Sequence, residues 1–170
     1  MSALFRTAPL VAATVTTGLT AGLFYAYACS VMIALGQVDD RTFVDVMQKI
    51  NTSILNGWFA IGFGGAVVFS VLAAVLHRHG DGRPVLPWIV AAIVLYGIVL
   101  VTTGAVNVPL NNDLAAAGDP ARIADPAALR AHFEGSWVRW NIVRAAASTA
   151  ALGCLAWALV LEGRIPPAGA

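Results

Sequence analysis

Four stretches of this chain contain no Asp, Glu, Lys or Arg: 7–38, 50–77, 84–112 and 145–161, of 32, 28, 29 and 17 residues. A helix that crosses a bilayer needs about 20 mostly apolar residues. The pattern therefore predicts an all-α integral membrane protein: an antiparallel four-transmembrane-helix bundle forming one domain over 1–170. The expected spans are about 8–35, 52–76, 86–107 and 141–161, with helical extensions in the first and third loops. Composition agrees, since 59% of the residues are hydrophobic and 11% charged, against about 25% charged in an ordinary soluble domain. A soluble enzyme and a secreted disulfide scaffold are excluded. A formal charge of +1 with no basic patch excludes a nucleic-acid binder as well.

Cys29 and Cys154 lie inside apolar stretches without a CxxC partner and read as small hydrophobes. Arg6, an apolar run and Ala26-Tyr27-Ala28-Cys29 imitate a signal peptide with a lipoprotein site. Tyr27 is too bulky for such a site and the run continues to Leu35, so an uncleaved first span is expected. Thr14, Gly18, Gly22, Ala26 and Ser30 recur every four residues along it. Small-residue stripes let helices approach closely in lipid, here within the bundle or between copies through Gly18 and Gly22.

Asp39-Asp40-Arg41-Thr42 breaks the first apolar run. Thr42 with Asp45 resembles a capping box, from which a helix is expected to run on into the second span. His77-Arg78-His79-Gly80-Asp81-Gly82-Arg83-Pro84 reads as a solvated turn rather than a metal site. Pro109 is expected to kink the end of the third span, because it cannot donate a backbone hydrogen bond and so frees the carbonyl of Ala105. Asp125-Pro126 reads as an N-cap followed by proline in the first turn, the start of a helix that continues into the fourth span. Seventeen residues at about 1.5 Å each fall short of a ~30 Å hydrocarbon core. The fourth span must therefore borrow residues before Ala145, and Arg144 falls at or inside the membrane boundary.

Residues 133–144 are the most informative stretch. With about 100° between successive residues, Phe133, Trp137, Trp140, Asn141 and Arg144 share one face, while Arg139 and His132 lie off it. An aromatic belt with a snorkelling arginine would give such a face. So would one wall of a site, which the cost of Asn and Arg inside a span favours. Gln48, Asn51 and Asn56 enter the second span, Asn107 and Asn111 leave the third, and the Trp/Asn/Arg face enters the fourth. Alternating topology puts all three on one side of the membrane, as a carboxamide-rich site or as hydrogen-bonding glue. No cluster with metal-ligand spacing occurs in the spans. The first span lacks the acidic residue that a small efflux transporter would want, and no span carries the histidines of a cytochrome.

Phe24-Tyr25 in a Gly-rich first span, Met47-Gln48-Lys49-Ile50-Asn51, Asn107-Val108-Pro109-Leu110-Asn111-Asn112 and Trp137-x-x-Trp140-Asn141-x-x-Arg144 resemble the DUF1772 family, the anthrone oxygenase-like membrane proteins. Fungal members are associated with oxidising anthrones to anthraquinones with O2 and no metal or flavin. The resemblance implies a cofactor-independent oxygenase acting on a flat lipophilic phenolic substrate. In it Asn107, Asn111, Asn141 and Arg144 would stabilise an oxyanion. Trp137, Trp140, Phe133, Tyr25, Gln48, Asn51 and Asn56 would surround the ring. No base stands out; Glu134, Asp113 and Asp45 are nearest. The alternative is a non-catalytic lipophile-binding or accessory membrane protein. One Lys against nine Arg fits a high-GC bacterial genome, and hence a bacterial plasma membrane.

Overall fold

In hydrocarbon the backbone N–H and C=O groups of a single span find partners only within its own helix, so the part of each charge-free stretch that crosses the bilayer must be helical. The computed structural model describes residues 3–165, and among them every regular element is a helix. The α-helices are α1 (Ala3–Ala26), α2 (Met32–Leu35), α3 (Asp40–Ser53), α4 (Gly57–Leu76), α5 (Leu86–Thr102), α6 (Val108–Ala116) and α7 (Pro126–Glu162). A π turn over Tyr27–Val31 joins α1 to α2, and another over Thr103–Asn107 joins α5 to α6. Four helical runs are long and apolar enough to cross a membrane: Phe5–Leu35, Gly57–Leu76, Leu86–Ala116 and Pro126–Glu162. The protein is a multi-pass, all-α membrane bundle.

α1 lies between α4 and α7; α5 packs on α7 and touches α4 less closely. Three apolar layers stack along the bundle, centred on Leu10, Ile89 and Leu155, then on Phe24, Tyr96 and Val99, then on Phe43, Met47 and Trp137. Thr14, Thr16 and Thr20 of α1 return their hydroxyls to carbonyls four residues back, at 2.8, 2.7 and 3.1 Å, so they do not face lipid unsatisfied. The small-residue stripe is divided. A Cβ at Gly18 would stand 3.5 Å from Leu152 of α7, whereas Gly22 faces open space.

The helix starts differ in part from the expected ones. Asp39, not Thr42, caps α3: its carboxylate accepts from Thr42 N at 3.0 Å and from the Thr42 hydroxyl at 2.6 Å. α3 does not run on into the second span. It stops at Ser53, and Asn56 begins a new helix by accepting from Phe59 N at 3.1 Å while donating to Ser53 O at 2.8 Å. α3 instead lies across the end of the bundle with Phe43, Val44 and Met47 buried beneath it. Its fastenings are polar. Arg41 donates to Pro120 O and Ile123 O, Gln48 to Leu114 O and Gly118 O, and Arg130 reaches Asp40 at 3.0 Å.

Pro109 does not break the third run. The turn before it widens, so that Val108 N bonds Thr103 O five residues back, giving the proline ring room. Asp125 caps α7 through Ala128 N at 2.9 Å, and α7 runs unbroken for 37 residues, which carries Arg144 into the bundle.

The opposite end corrects the reading of the His77 turn. His77 is not solvated: it is fully buried, with Nδ1 2.6 Å from Ala73 O and Nε2 3.3 Å from Glu162 Oε2. Arg6 Nε donates to the other oxygen of Glu162 at 3.1 Å. Sequence spacing hides this cluster, because its members sit 71 and 85 positions apart on three helices. Gly82 lies against it, where a Cβ would come within 3.1 Å of the imidazole.

Candidate functional site

Beneath α3, the wide turns at Tyr27 and Thr103 and the break before α4 leave a cavity of about 480 Å³. That volume is within the usual range for small-molecule sites, roughly 300–1,000 Å³. α1 contributes Leu23 and Phe24, and the first π turn Tyr27. α3 contributes Gln48 and Asn51, and the second π turn with α6 contributes Thr103, Asn107 and Asn111. α7 contributes Trp137, Asn141 and Arg144. Among the described residues that line it, six are carboxamides and none is Asp, Glu or His.

Arg144 is the one charged side chain among the described residues that line the cavity, and it is 5% exposed. Its guanidinium lies between two aromatic faces, 4.4 Å from the Phe24 ring centroid and 5.2 Å from that of Trp137. Nη2 donates to Asn141 Oδ1 at 3.0 Å and Nη1 reaches Thr103 Oγ1 at 3.5 Å. Asn141 is fixed in turn by donating Nδ2 to Phe24 O at 3.0 Å. Among the described residues no carboxylate pairs with the cation. Glu134 pairs with Arg130 at 2.7 Å, Asp45 with Lys49 at 2.6 Å, and Asp113 lies 3.7 Å from His132.

Trp137 donates its indole N–H to Asn111 Oδ1 at 2.9 Å, and Asn107 Nδ2 donates to Trp137 O at 3.3 Å. Three buried side-chain polar atoms among the described residues have no hydrogen-bond partner: Arg144 Nε, Asn107 Oδ1 and Asn51 Nδ2. All three belong to residues that line this cavity. Orphaned buried polar atoms cost about 1–3 kcal/mol each, and here they cluster around one space.

Seven of the residues singled out from sequence line the cavity: Asn107, Asn111, Asn141, Arg144, Trp137, Gln48 and Asn51. Gln48 spends its amide N–H groups on Leu114 O and Gly118 O, at 2.8 and 3.0 Å, so it also ties the cap down. Four residues lie elsewhere. Asn56 is consumed by capping α4. Phe133 is one turn too far along α7 and braces Trp137 from behind, stacked at 6.0 Å. Trp140 and Tyr25 point outward, 37% and 62% exposed.

Tyr27 takes the place expected of Tyr25. Phe24 and Tyr27 are three residues apart and share a helix face, whereas Tyr25 is about 100° from Phe24. That spacing was the available signal for Tyr27; Thr103 had none, because a π turn brings it inward.

A family model described as anthrone oxygenase matches residues 56–154. The chain belongs to the anthrone oxygenase family. The matched stretch holds Asn107, Asn111, Trp137, Asn141 and Arg144, while Phe24, Tyr27, Gln48 and Asn51 precede it. No curated protein and no solved structure matches the chain.

Proposed function

We propose that this anthrone oxygenase family member is a membrane-embedded oxygenase that binds a flat, lipophilic phenolic ketone of the anthrone type and oxidises it with O2. The observation that carries the reading is an uncompensated, buried guanidinium in a cavity where every orphaned polar atom of the described residues collects. Such a cavity lowers the free energy of an anion and accepts an aromatic body beside Trp137 and Tyr27.

In the proposed reaction the substrate's CH2 between two aromatic rings loses a proton, giving a carbanion delocalised onto the ketone oxygen. Arg144 holds that oxyanion, with Asn51 Nδ2 as a further donor and Asn107 Oδ1 accepting from a substrate hydroxyl. The carbanion passes an electron to O2 and the two fragments combine at carbon. Loss of water then leaves a carbonyl. One oxygen atom ends in the product and the other in water, so the CH2 undergoes a four-electron oxidation that one O2 balances. Arg144 and Tyr27 are the cavity's ionisable side chains. Catalysis is therefore assigned to anion stabilisation, with the proton leaving to water at the rim near Thr52 and Asn112. A preorganised oxyanion donor is worth about 3–4 kcal/mol. The Arg-rich, Lys-poor usage supports placing the protein in a bacterial plasma membrane.

The test is O2 uptake and quinone formation when detergent-purified protein meets anthrone, with Arg144→Met as the control for uncatalysed autoxidation. Turnover by the wild type alone supports the reading. Tight binding without O2 uptake favours a lipophile-binding protein, the reading to which the missing carboxylate and imidazole bases point.

A further inference from the structure

A second hollow, of about 290 Å³, lies between α1 and α4 and opens on the outer face of the bundle. Leu23, Ile54 and Phe59 line both it and the cavity, so one layer of side chains separates the two. Ile54 belongs to the non-helical link between α3 and α4, not to a packed helix. Leu19, Leu55 and Trp58 stand 61%, 77% and 86% exposed around this region. Phe59 and Phe63, one turn apart on α4, stack at 5.0 Å with an interplanar angle of 19° and form a flat aromatic wall. At Gly62 the floor closes, since a Cβ there would stand 3.7 Å from Thr20 Oγ1 and 3.9 Å from Leu19 Cβ.

We propose that this groove is the bilayer entrance to the site, a subsite that takes the flat aromatic lipophile edge-on before it passes Leu23, Ile54 and Phe59. The proposal rests on the reading of the inner cavity as a lipophile site. The distribution of polar atoms gives the path a direction. Asn56 is satisfied by Ser53 O and Phe59 N, and the Thr20 hydroxyl donates to Thr16 O, so apart from the Trp58 indole at its rim the groove offers mainly apolar contact. The orphaned donors and acceptor lie on the far side of the shared residues. A molecule with an apolar body and a polar edge gains hydrophobic contact first and hydrogen bonds second, which draws it inward.

The experiment uses the full chain in phosphatidylcholine vesicles and 1,8-dihydroxyanthraquinone as a stable probe, followed by its own visible absorbance in a stopped-flow instrument. Gly62→Leu and Leu19→Trp fill the groove, and neither residue lines the inner cavity. Association and dissociation rates should fall together by roughly tenfold or more with Kd unchanged, as expected when a path and not an endpoint is altered. If both variants fold and bind at wild-type rates, the groove is not the entrance. Nor is it the entrance if filling it changes only thermal stability, as for a groove that merely holds a lipid acyl chain. Leu19→Trp, on the exposed face of α1, keeps the test open should Gly62→Leu fail to fold. If the wild-type chain binds no probe, the inner-site reading fails first and the groove with it.

Discussion

Two arginines are buried at opposite ends of this bundle, and they have opposite surroundings. Arg6 meets Glu162, which also faces His77, so the cation has a carboxylate within 3.1 Å. Arg144 meets two aromatic faces and two neutral oxygens, and one of its N–H groups has no partner. Burying a charge is costly unless it is paired. The Arg6 end satisfies that demand from within the chain and ties α1, α4 and α7 together. The Arg144 end leaves it unmet and surrounds a cavity. One arginine is paired within the fold; the other borders a cavity with its Nε unpartnered. Burial of a charge does not by itself distinguish the two ends, but the state of its partners does.

The largest effect should come from breaking the closed end. Glu162→Gln leaves Arg6 buried without its carboxylate and should destabilise the protein by about 3–5 kcal/mol, read as a lower midpoint in detergent denaturation. An unchanged midpoint would mean that the cluster is not a structural clamp.

Arg144→Met should do the reverse. Loss of an oxyanion donor should cut turnover by about 10²–10³, while stability stays level or rises by about 1 kcal/mol as an unpaired charge becomes apolar volume. Arg139→Met, on the exposed side of α7, should change neither. Arg144→Lys should keep only part of the activity, because an ammonium does not reproduce a stacked, forked guanidinium. A loss of stability in Arg144→Met equal to that in Glu162→Gln would erase the contrast.

The edge of the open end can be drawn with two tyrosines. Tyr27→Ala should weaken probe binding by roughly tenfold, the loss of about 1–2 kcal/mol of aromatic contact. Tyr25→Ala, on the outer surface, should leave Kd unchanged.

The smallest effect concerns the cap over the open end. Hydrogen bonds from the Thr42 hydroxyl and backbone N–H hold the Asp39 carboxyl below its ordinary value. A carboxyl lowered in the folded state stabilises it above the unfolded value, and that contribution disappears as pH falls through the folded one. Asp39→Ala should therefore lower the melting midpoint slightly at neutral pH, and the difference from wild type should vanish at acidic pH.

Much of the site's position was legible in the sequence. Asn141 and Arg144 follow Trp137 by four and seven residues, a spacing that keeps them on one face of any regular helix. Alternating span direction then brings Asn107 and Asn111 to the same end. Periodicity could not say where that face stops. Trp140 falls on its outer edge and Phe133 one turn beyond the cavity, because the neighbouring helices set the width of the open sector. Nor could local patterns anticipate the two π turns, whose register depends on what packs beside them.

The sequence by itself therefore determined that the chain crosses a membrane as four helices, where α7 begins, and that a guanidinium and several carboxamides meet at one end. These follow from hydrocarbon solvation and from helix periodicity, which act over a few residues at a time. Only the tertiary structure decided which buried charges are paired, that His77 is enclosed with Glu162, and that a π turn brings Thr103 to the cavity. Those outcomes depend on distances between residues far apart in the chain. No local spacing encodes them, because they are set by how the helices pack against one another.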